Sequence, residues 1–565
     1  MAERQWTAAQ KNAIEAKSGT VLVSAAAGSG KTSVLTERIV RRLTDGENGV
    51  RPDSLLVVTF TNAAAAEMRS RIYSGISALM AKNPGKRSEF TSLLAVLGEM
   101  QVCTMDSFSM NLVKENCHTL GIEAEFRILE GGEGDSLKRK TAVSVLERRF
   151  TECAESFLPL ARMFDSGKND SKLIDTVIKL SDFSMSEAEP GKWLGELNSS
   201  FSQGRAQDGI YGKYLAEEML SDIDYCIYLS DAAVAEILTD EELAAKYINV
   251  FESENMILKR YRALIENAVW DEKINLASSL FSAISTTRLP NAPKGYTDNP
   301  VKCSAKAKRD AYKDVLEKIC EYISITEEEN AADSVILSKA VRELTLTVQE
   351  YNERLLETKK EMSAYDFSDI AHFALRLLYD SSASDGKTPL ARELTEKYSE
   401  ILIDEYQDTN RAQDTLFRSV SRDGKNMFFV GDVKQSIYRF RLASPEIFIE
   451  KCNEFPRYDG NAEKSKIILG HNFRSRKGIL DFVNFMFSRL MTPECGGIEY
   501  NEDERLNFPE NADYMPSTDV QAVLLQAGED GQACTEAEYI ARTVREYLDS
   551  GATVSDGKGE RKAAP

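Results

Sequence analysis

Histidine is nearly absent from this 565-residue chain: His118, His372 and His471 are the only three, and they lie far apart. A histidine-based metal centre is therefore not expected. Cysteine is sparse as well, with nine residues standing singly, no Cys-x-x-Cys pair and an odd total. That pattern argues against a disulfide framework or a zinc site of ordinary spacing, and predicts a reduced, cytoplasmic setting. No run approaches the roughly 18 apolar residues of a membrane span. The opening residues 1–6 lack the apolar stretch of a secretory signal, so no membrane association is expected. Positive charge is in deficit too, 70 Lys and Arg against 90 Asp and Glu, a formal net charge of −20. This speaks against a surface coated with cations for nonspecific nucleic-acid binding. It leaves room for a local groove, because affinity depends on where the charges sit. What remains is an ordinary globular composition, long enough for about three or four domains.

Short β-branched runs recur and end at polar or glycine-rich segments: 21–23, 55–60, 401–403, 427–430 and 467–469. Such runs read as parallel strands buried on both faces. Helical patterns follow several of them, at 33–43 and 63–80, which is the alternation of an α/β doubly wound sheet. Between about Leu120 and Met362 strand signals thin out. Leu337, Val341, Leu344, Val348, Tyr351 and Leu355 form one apolar helical stripe there, leaving Lys339, Glu343, Glu350 and Arg354 for the solvated side. Residues 291–308 read as an exposed loop. The sheet is thus expected to be interrupted by a large helical insertion and then resumed.

The strongest chemical signal is Ser24-Ala25-Ala26-Ala27-Gly28-Ser29-Gly30-Lys31-Thr32, which follows a strand and opens a helix. Backbone amides of residues 27–31 can cradle phosphates at the helix N-terminus, Lys31 can neutralise them, and the Thr32 hydroxyl can ligate Mg²⁺. Ala25 replaces the usual first glycine, and the small residues at 25–28 still permit close backbone approach. A second buried run, 401–403, delivers Asp404 and Glu405. The first is suited to hold Mg²⁺ through water and the second to orient and deprotonate an attacking water. Together the two motifs read as a Mg²⁺-dependent NTPase.

Other strand ends bear on the substrate. Thr59, Thr61 and Asn62, and Thr104 and Ser107, offer hydroxyls and an amide to phosphodiester oxygens. In residues 431–441, Tyr438 and Phe440 stand among Lys434, Arg439 and Arg441, an interleaving that suits stacked single-stranded bases. Gln435 can read the terminal phosphate and pass its state to that aromatic loop.

These segments, in this order, resemble the motifs of superfamily 1 DNA helicases of the UvrD/RecB type. They are WTAAQ at 6–10, the phosphate loop, TFTNAAAAEMRSRI, TMDSF, LIDEYQDTN, VGDVKQSIYRFR and NFRS at 472–475. The resemblance implies a RecA-like fold, ATP and Mg²⁺ as cofactors, and DNA as substrate with 3′ to 5′ movement. It implies that Gln10 contacts adenine, Phe473 stacks near it, and Arg474 reaches the γ-phosphate from a second RecA-like domain. Phe60 and Phe440 would stack on single-stranded DNA. The segment 365–369 is similar to the pattern just upstream of the Asp-Glu motif. Ser33 and Asp106 depart from the residues common in the family, arginine and histidine. Several details are most similar to the AddA chains of AddAB helicase–nucleases, implying an AddB-like partner in a heterodimer and a role in double-strand-break repair.

The expected organisation is a first RecA-like domain of residues 1–117 and 362–452, a helical insertion of 118–361, and the start of a second RecA-like domain at 453–565. Residues 520–525 read as a strand and 536–550 as a helix, with Gly551 at its end and an unpaired polar tail beyond. The later helicase motifs and a nuclease domain are not found, so the chain is expected to be a fragment that binds ATP but turns it over poorly alone. An ATP-binding module for DNA binding or assembly remains the alternative reading.

Overall fold

The computed structural model describes residues 5–16, 19–46, 49–164, 171–201, 205–460, 462–509, 520–525, 536–551, 553–555 and 560–562. In chain order its first eight strands are β1 (Thr20–Ala25), β2 (Leu55–Thr59), β3 (Gln101–Thr104), β4 (Arg127–Ile128), β5 (Ala364–Tyr365), β6 (Glu400–Ile403), β7 (Met427–Gly431) and β8 (Lys464–Leu469). Six of them form one sheet in the order β3-β2-β6-β7-β1-β8, every pair parallel. A parallel sheet puts all its carboxyl ends at one edge, so each strand delivers its following loop to the same crevice.

Period-two alternation divides the apolar strand residues between two layers of helices. Leu22, Leu56, Val58, Ile401, Ile403 and Phe429 pack on one side with residues of helices Met105–Glu115, Phe367–Leu378 and Arg411–Ser419. Val21, Val23, Val57, Leu402, Phe428 and Val430 pack on the other with helices Ala8–Glu15, Lys31–Thr44 and Asn62–Lys82. Burial on both faces explains why these strands read as continuous apolar runs. β3 lacks that signal because only Val102 and Thr104 of its four residues are buried.

β8 alters the expected organisation. Its six residues pair in register with β1, from Thr20–Lys464 to Ala25–Leu469, so Lys464–Leu469 is the sixth strand of the first sheet. The expected boundary at 453 falls inside helix Glu446–Glu454. A second α/β unit, if one follows, starts beyond Leu469 and is a proposal only.

The insertion leaves and re-enters the motor through β4 and β5, which pair in parallel. Between them lie nine helices among the described residues, in two groups. Gly131–Glu152 to Pro190–Ser200 pack against Glu327–Glu361, and Ile210–Ile237 to Pro300–Tyr322 enclose separate cores. On Glu327–Glu361, Val348, Tyr351 and Leu355 are buried, while Leu337 at the same spacing is 43% exposed. Glu343 and Glu350, expected on the solvated side, instead pair with Arg149 at 3.0 and 2.8 Å. This long helix is covered by neighbours on more than one face, which a single apolar stripe does not reveal. Residues 300–308, expected as loop, begin helix Pro300–Tyr322: Asn299 caps it by accepting from Lys302 N, and Pro300 takes the first turn. At the exit, Lys359 bridges Asp366 and Asp369 at 2.7 and 2.6 Å, and these two form the capping box of helix Phe367–Leu378.

Residues 520–525, expected as a strand, have irregular backbone. Helix Glu536–Asp549 is present and Gly551 has φ +69°. The tail beyond it, expected to be unpaired, pairs Thr553–Ser555 antiparallel with Glu560–Lys562. The eight described cysteines are free, and Cys534 lies outside the described residues. Among the described residues no helix is long and apolar enough to cross a membrane.

Candidate functional site

The loop after β1 is built for close approach. Gly28 and Gly30 take positive φ, +69° and +85°, where side chains with a Cβ are disfavoured. A Cβ on Gly28 would also lie 2.8 Å from Asn472 Nδ2 and 2.9 Å from Arg474 Cβ. Ser24 and Ala25 stay within β1, and Ala26 packs beside Leu480 and Leu506, so these three shape the loop's root and not its cradle. Ser29 is buried, with its Oγ lacking a partner among the described residues, a donor available to an incoming anion.

Two segments grip the loop from behind. Gln10 donates from Nε2 to the Ser29 carbonyl at 2.9 Å while its Oε1 accepts from Thr7 N. On the other side Asn472 donates to the Ala27 carbonyl at 2.7 Å, accepts from Arg474 N and Ser475 N, and Phe473 N donates to the Gly28 carbonyl at 3.0 Å. Phe473 and Arg474 thus stand at the loop directly after a strand of the same sheet. Their side chains are exposed, with the Phe473 ring facing His471 at 6.4 Å.

Lys31, Glu405 and Gln435 meet in front of the loop, although 374 and 404 residues separate them in sequence. Lys31 Nζ donates to Glu405 Oε2 at 3.2 Å and to Gln435 Oε1 at 3.3 Å. Gln407, which sequence reasoning passed over, donates to Glu405 Oε2 at 2.9 Å and accepts from Asp432 N at 3.0 Å. Gln435 Nε2 donates to Asp432 Oδ2 at 2.7 Å, closing a ring through the three strand ends β1, β6 and β7. A Cβ on Gly431 would lie 2.5 Å from Gln407 Oε1, so the ring also needs glycine there. The one sequence signal for Gln407 was its place two residues after Glu405. Glu405 itself has φ +51°, a costly conformation for a residue with a Cβ, held at the point where β6 turns into the crevice.

Asp404 is buried beneath this ring, and burial, then the Glu405 charge, push its carboxyl up to about 6 against the opposing pull of Lys31. Asp408 is pushed up to about 6 by the same first two causes. Among the described residues no group of three or more His, Cys, Asp or Glu is arranged to hold a metal by itself. Mg²⁺ at nucleotide sites takes one or two protein oxygens and completes its shell with phosphate and water. Thr32, the second residue of helix Lys31–Thr44, and Asp404 fit that role by donor chemistry. Because a cation needs the ionised carboxylate, Mg²⁺·nucleotide affinity is expected to fall about tenfold per pH unit below roughly 6. Calorimetric titration between pH 5 and 8 measures this, and a flat profile from 5 to 7 would contradict it.

On the far side of the ring the strand-end aromatics assemble. Phe60 stacks on Tyr438 at 4.8 Å between centroids, and Tyr438 meets Phe440 at 5.9 Å. Phe440 is 76% exposed, and Arg441 lies over both Tyr438 and Phe440. The other cations named from sequence are spent elsewhere. Lys434 is held by Asp432 and Glu504, Arg439 pairs with Glu446, and Arg69 donates to the Val102 carbonyl. Thr61 and Thr104 cap helices Asn62–Lys82 and Met105–Glu115, accepting from Ala64 N and Ser107 N, and Ser107 Oγ bonds Thr104 Oγ1 at 2.8 Å. Their hydroxyls are committed to the backbone, whereas Asn62 is exposed beside Phe60.

A parallel sheet whose central strand ends in a glycine-bent loop and lysine-led helix, facing carboxylates from a neighbouring strand, defines a P-loop nucleotide-binding protein of RecA-like fold. The chain belongs to the UvrD/REP helicase family, whose N-terminal domain matches residues 6–456. It is 35% identical over 520 residues to a protein of Ruminiclostridium cellulolyticum and 36% over 540 to one of Clostridium acetobutylicum; each match covers 90% of this chain and 41% of the relative. A Clostridioides difficile protein is 34% identical over 534 residues, covering 93% and 41%. Each of these three relatives is named as the A chain of an ATP-dependent helicase/nuclease. The chain spans about two fifths of their length.

Proposed function

We propose that this chain is the ATP-driven motor portion of a DNA helicase that works within a helicase–nuclease complex. The observation that carries this reading is the ring of Lys31, Glu405, Gln407, Asp432 and Gln435, which lies three residues from Tyr438 and its exposed stack. In that reading the loop amides, Ser29 Oγ and Lys31 bind the phosphates, and Glu405 takes the proton of the attacking water. Gln435 leaves Lys31 for the terminal phosphate, which shifts the short helical turn Val433–Gln435 and with it Tyr438 and Phe440. Thr32 and Asp404 would hold Mg²⁺, which supplies neutralisation of phosphate charge. Gln10 holds the loop's backbone, Phe473 offers a ring beside it for adenine, and Arg474 offers a charge for the γ-phosphate. DNA is bound by stacking on Phe60, Tyr438 and Phe440, aided by Asn62 and Arg441.

Movement 3′ to 5′, pairing with an AddB-like protein in a heterodimer and a role in double-strand-break repair belong to the same proposal. They are supported by the relatives' names and the motif order. The test is ATP hydrolysis by the chain with and without oligo(dT), together with oligonucleotide affinity. Phe440→Ala is expected to weaken single-stranded binding by about 5- to 150-fold, the worth of one stacked base (about 1–3 kcal/mol), while leaving nucleotide affinity unchanged. No stimulation by DNA and no effect of Phe440→Ala would refute the motor reading.

A further inference from the structure

The insertion carries a surface that the motor reading does not use. Helix Ile210–Ile237 exposes four tyrosines, Tyr211, Tyr214, Tyr225 and Tyr228, with Tyr214 60% and Tyr228 68% accessible. At 3.6 residues per turn these positions fall within about 100° of one another, on one face of the helix. Tyr225 and Tyr228 stack at 6.4 Å with rings 17° apart. At the N-terminal end of the same face, Tyr211 opens onto a cavity of about 310 Å³. Phe201, Leu215, Trp270, Tyr322, Ile325 and Leu337 line it. Trp270 and Tyr322 spend their polar atoms on the Ile325 carbonyl and on Asp222, so what they turn to the cavity is apolar. Ile325 and Leu337 are themselves about half exposed, extending the apolar rim outward.

Tyrosine is an expensive residue to leave in water in such numbers. It is also the side chain that anchors protein interfaces, giving large contact area for two rotatable bonds. The charge around it is one-sided. The helix holds one lysine, Lys213, against Glu217, Glu218, Asp222, Asp224, Asp231 and Glu236. Asp224 and Asp231 are answered by Arg262 and Lys259, and Asp222 by Tyr322, but Glu217 and Glu218 have no ion pair among the described residues. They lie between Tyr214 and Tyr225. A phosphodiester backbone would be repelled by this face, whereas a basic polypeptide would be drawn to it.

We infer that the tyrosine face of the insertion is a docking surface for a basic protein segment. One apolar side chain of the segment enters the cavity beside Tyr211 and Trp270, and lysines or arginines reach Glu217 and Glu218. The segment then crosses Tyr225 and Tyr228. The surface lies on helices that contribute nothing to the nucleotide ring, so it does not depend on the motor reading.

The test uses the full chain and a fluorescent amphipathic peptide of leucines and lysines, with a second peptide in which glutamate replaces each lysine. The basic peptide is expected to bind. Tyr214→Ser with Tyr228→Ser, and separately Glu217→Lys with Glu218→Lys, are each expected to weaken it at least tenfold. The acidic peptide should bind only the charge-reversed chain. All four positions are exposed, so the helical content and nucleotide binding of both variants should match the parent. Failure of the basic peptide to bind, equal binding by all variants, or no recovery with the charge-swapped pair would overturn the inference. Binding of oligo(dT) that the tyrosine substitutions abolish would assign the face to nucleic acid instead.

Discussion

Glu405→Gln is expected to lower ATP turnover by about 10²- to 10⁴-fold, the range that a positioned general base contributes, while nucleotide still binds. The substitution keeps the side chain's size and its acceptor for Lys31 Nζ and Gln407 Nε2, so the ring can persist. What is lost is the negative charge and the capacity to accept a proton. Phosphate binding rests on the loop amides, Ser29 and Lys31, none of which is altered. Affinity should hold or rise, because one repulsive charge near the phosphates is gone. Single-turnover hydrolysis beside a fluorescent-nucleotide titration separates the two effects. A loss below tenfold would remove Glu405 from the chemistry, and a parallel loss of binding would make it a structural anchor.

Arg38→Leu is expected to destabilise the motor by about 3–5 kcal/mol, the cost of leaving a buried charge unpaired. Arg38 and Glu400 are each about 4% exposed in their side chains and meet at 2.6 Å beneath the sheet. Burial pushes the Glu400 carboxyl up, yet the Arg38 and Arg42 guanidiniums outweigh it and hold it below its ordinary value. Arg38 also donates to the Ala13 and Ile14 carbonyls and lies 4.3 Å over the Phe428 ring, tying helix Ala8–Glu15, which carries Gln10, to the sheet. Arg42 at 2.8 Å remains in the variant and moderates the loss. Arg38→Leu with Glu400→Leu should be milder than the single change, since it removes the stranded charge. Denaturant unfolding measures both; a single variant within 1 kcal/mol of the parent would mean that water already reaches this pair.

Most of the elements around the crevice were legible because their signals are local. The run Leu55–Thr59, the Gly28-Ser29-Gly30-Lys31 turn and the Thr61 and Thr104 caps each need only a few neighbouring residues. The helical character of the insertion was legible for the same reason. Its packing was not: Glu343 and Glu350 are buried against Arg149 because helix Gly131–Glu152 lies there, about 200 positions away in sequence. Lys434 and Arg439 looked open to DNA for as long as Glu504 and Glu446 were out of view.

By itself, then, the sequence determined a parallel α/β protein with a phosphate loop, a following carboxylate pair, an aromatic strand-end loop and an all-helical insertion. Each of these is written in residues that lie next to one another. Only the tertiary structure decided that β8 completes the first sheet and brings Asn472 to the back of the loop. It also decided that Gln407 links Glu405 to Asp432, that Lys31 is held by Gln435, and that four tyrosines share one uncovered face. The physical reason is sequence distance. Strand order and side-chain partners are chosen by burial and hydrogen bonding among residues hundreds of positions apart, and no local pattern encodes which of several equally apolar strands, or which of 90 carboxylates, will be the neighbour.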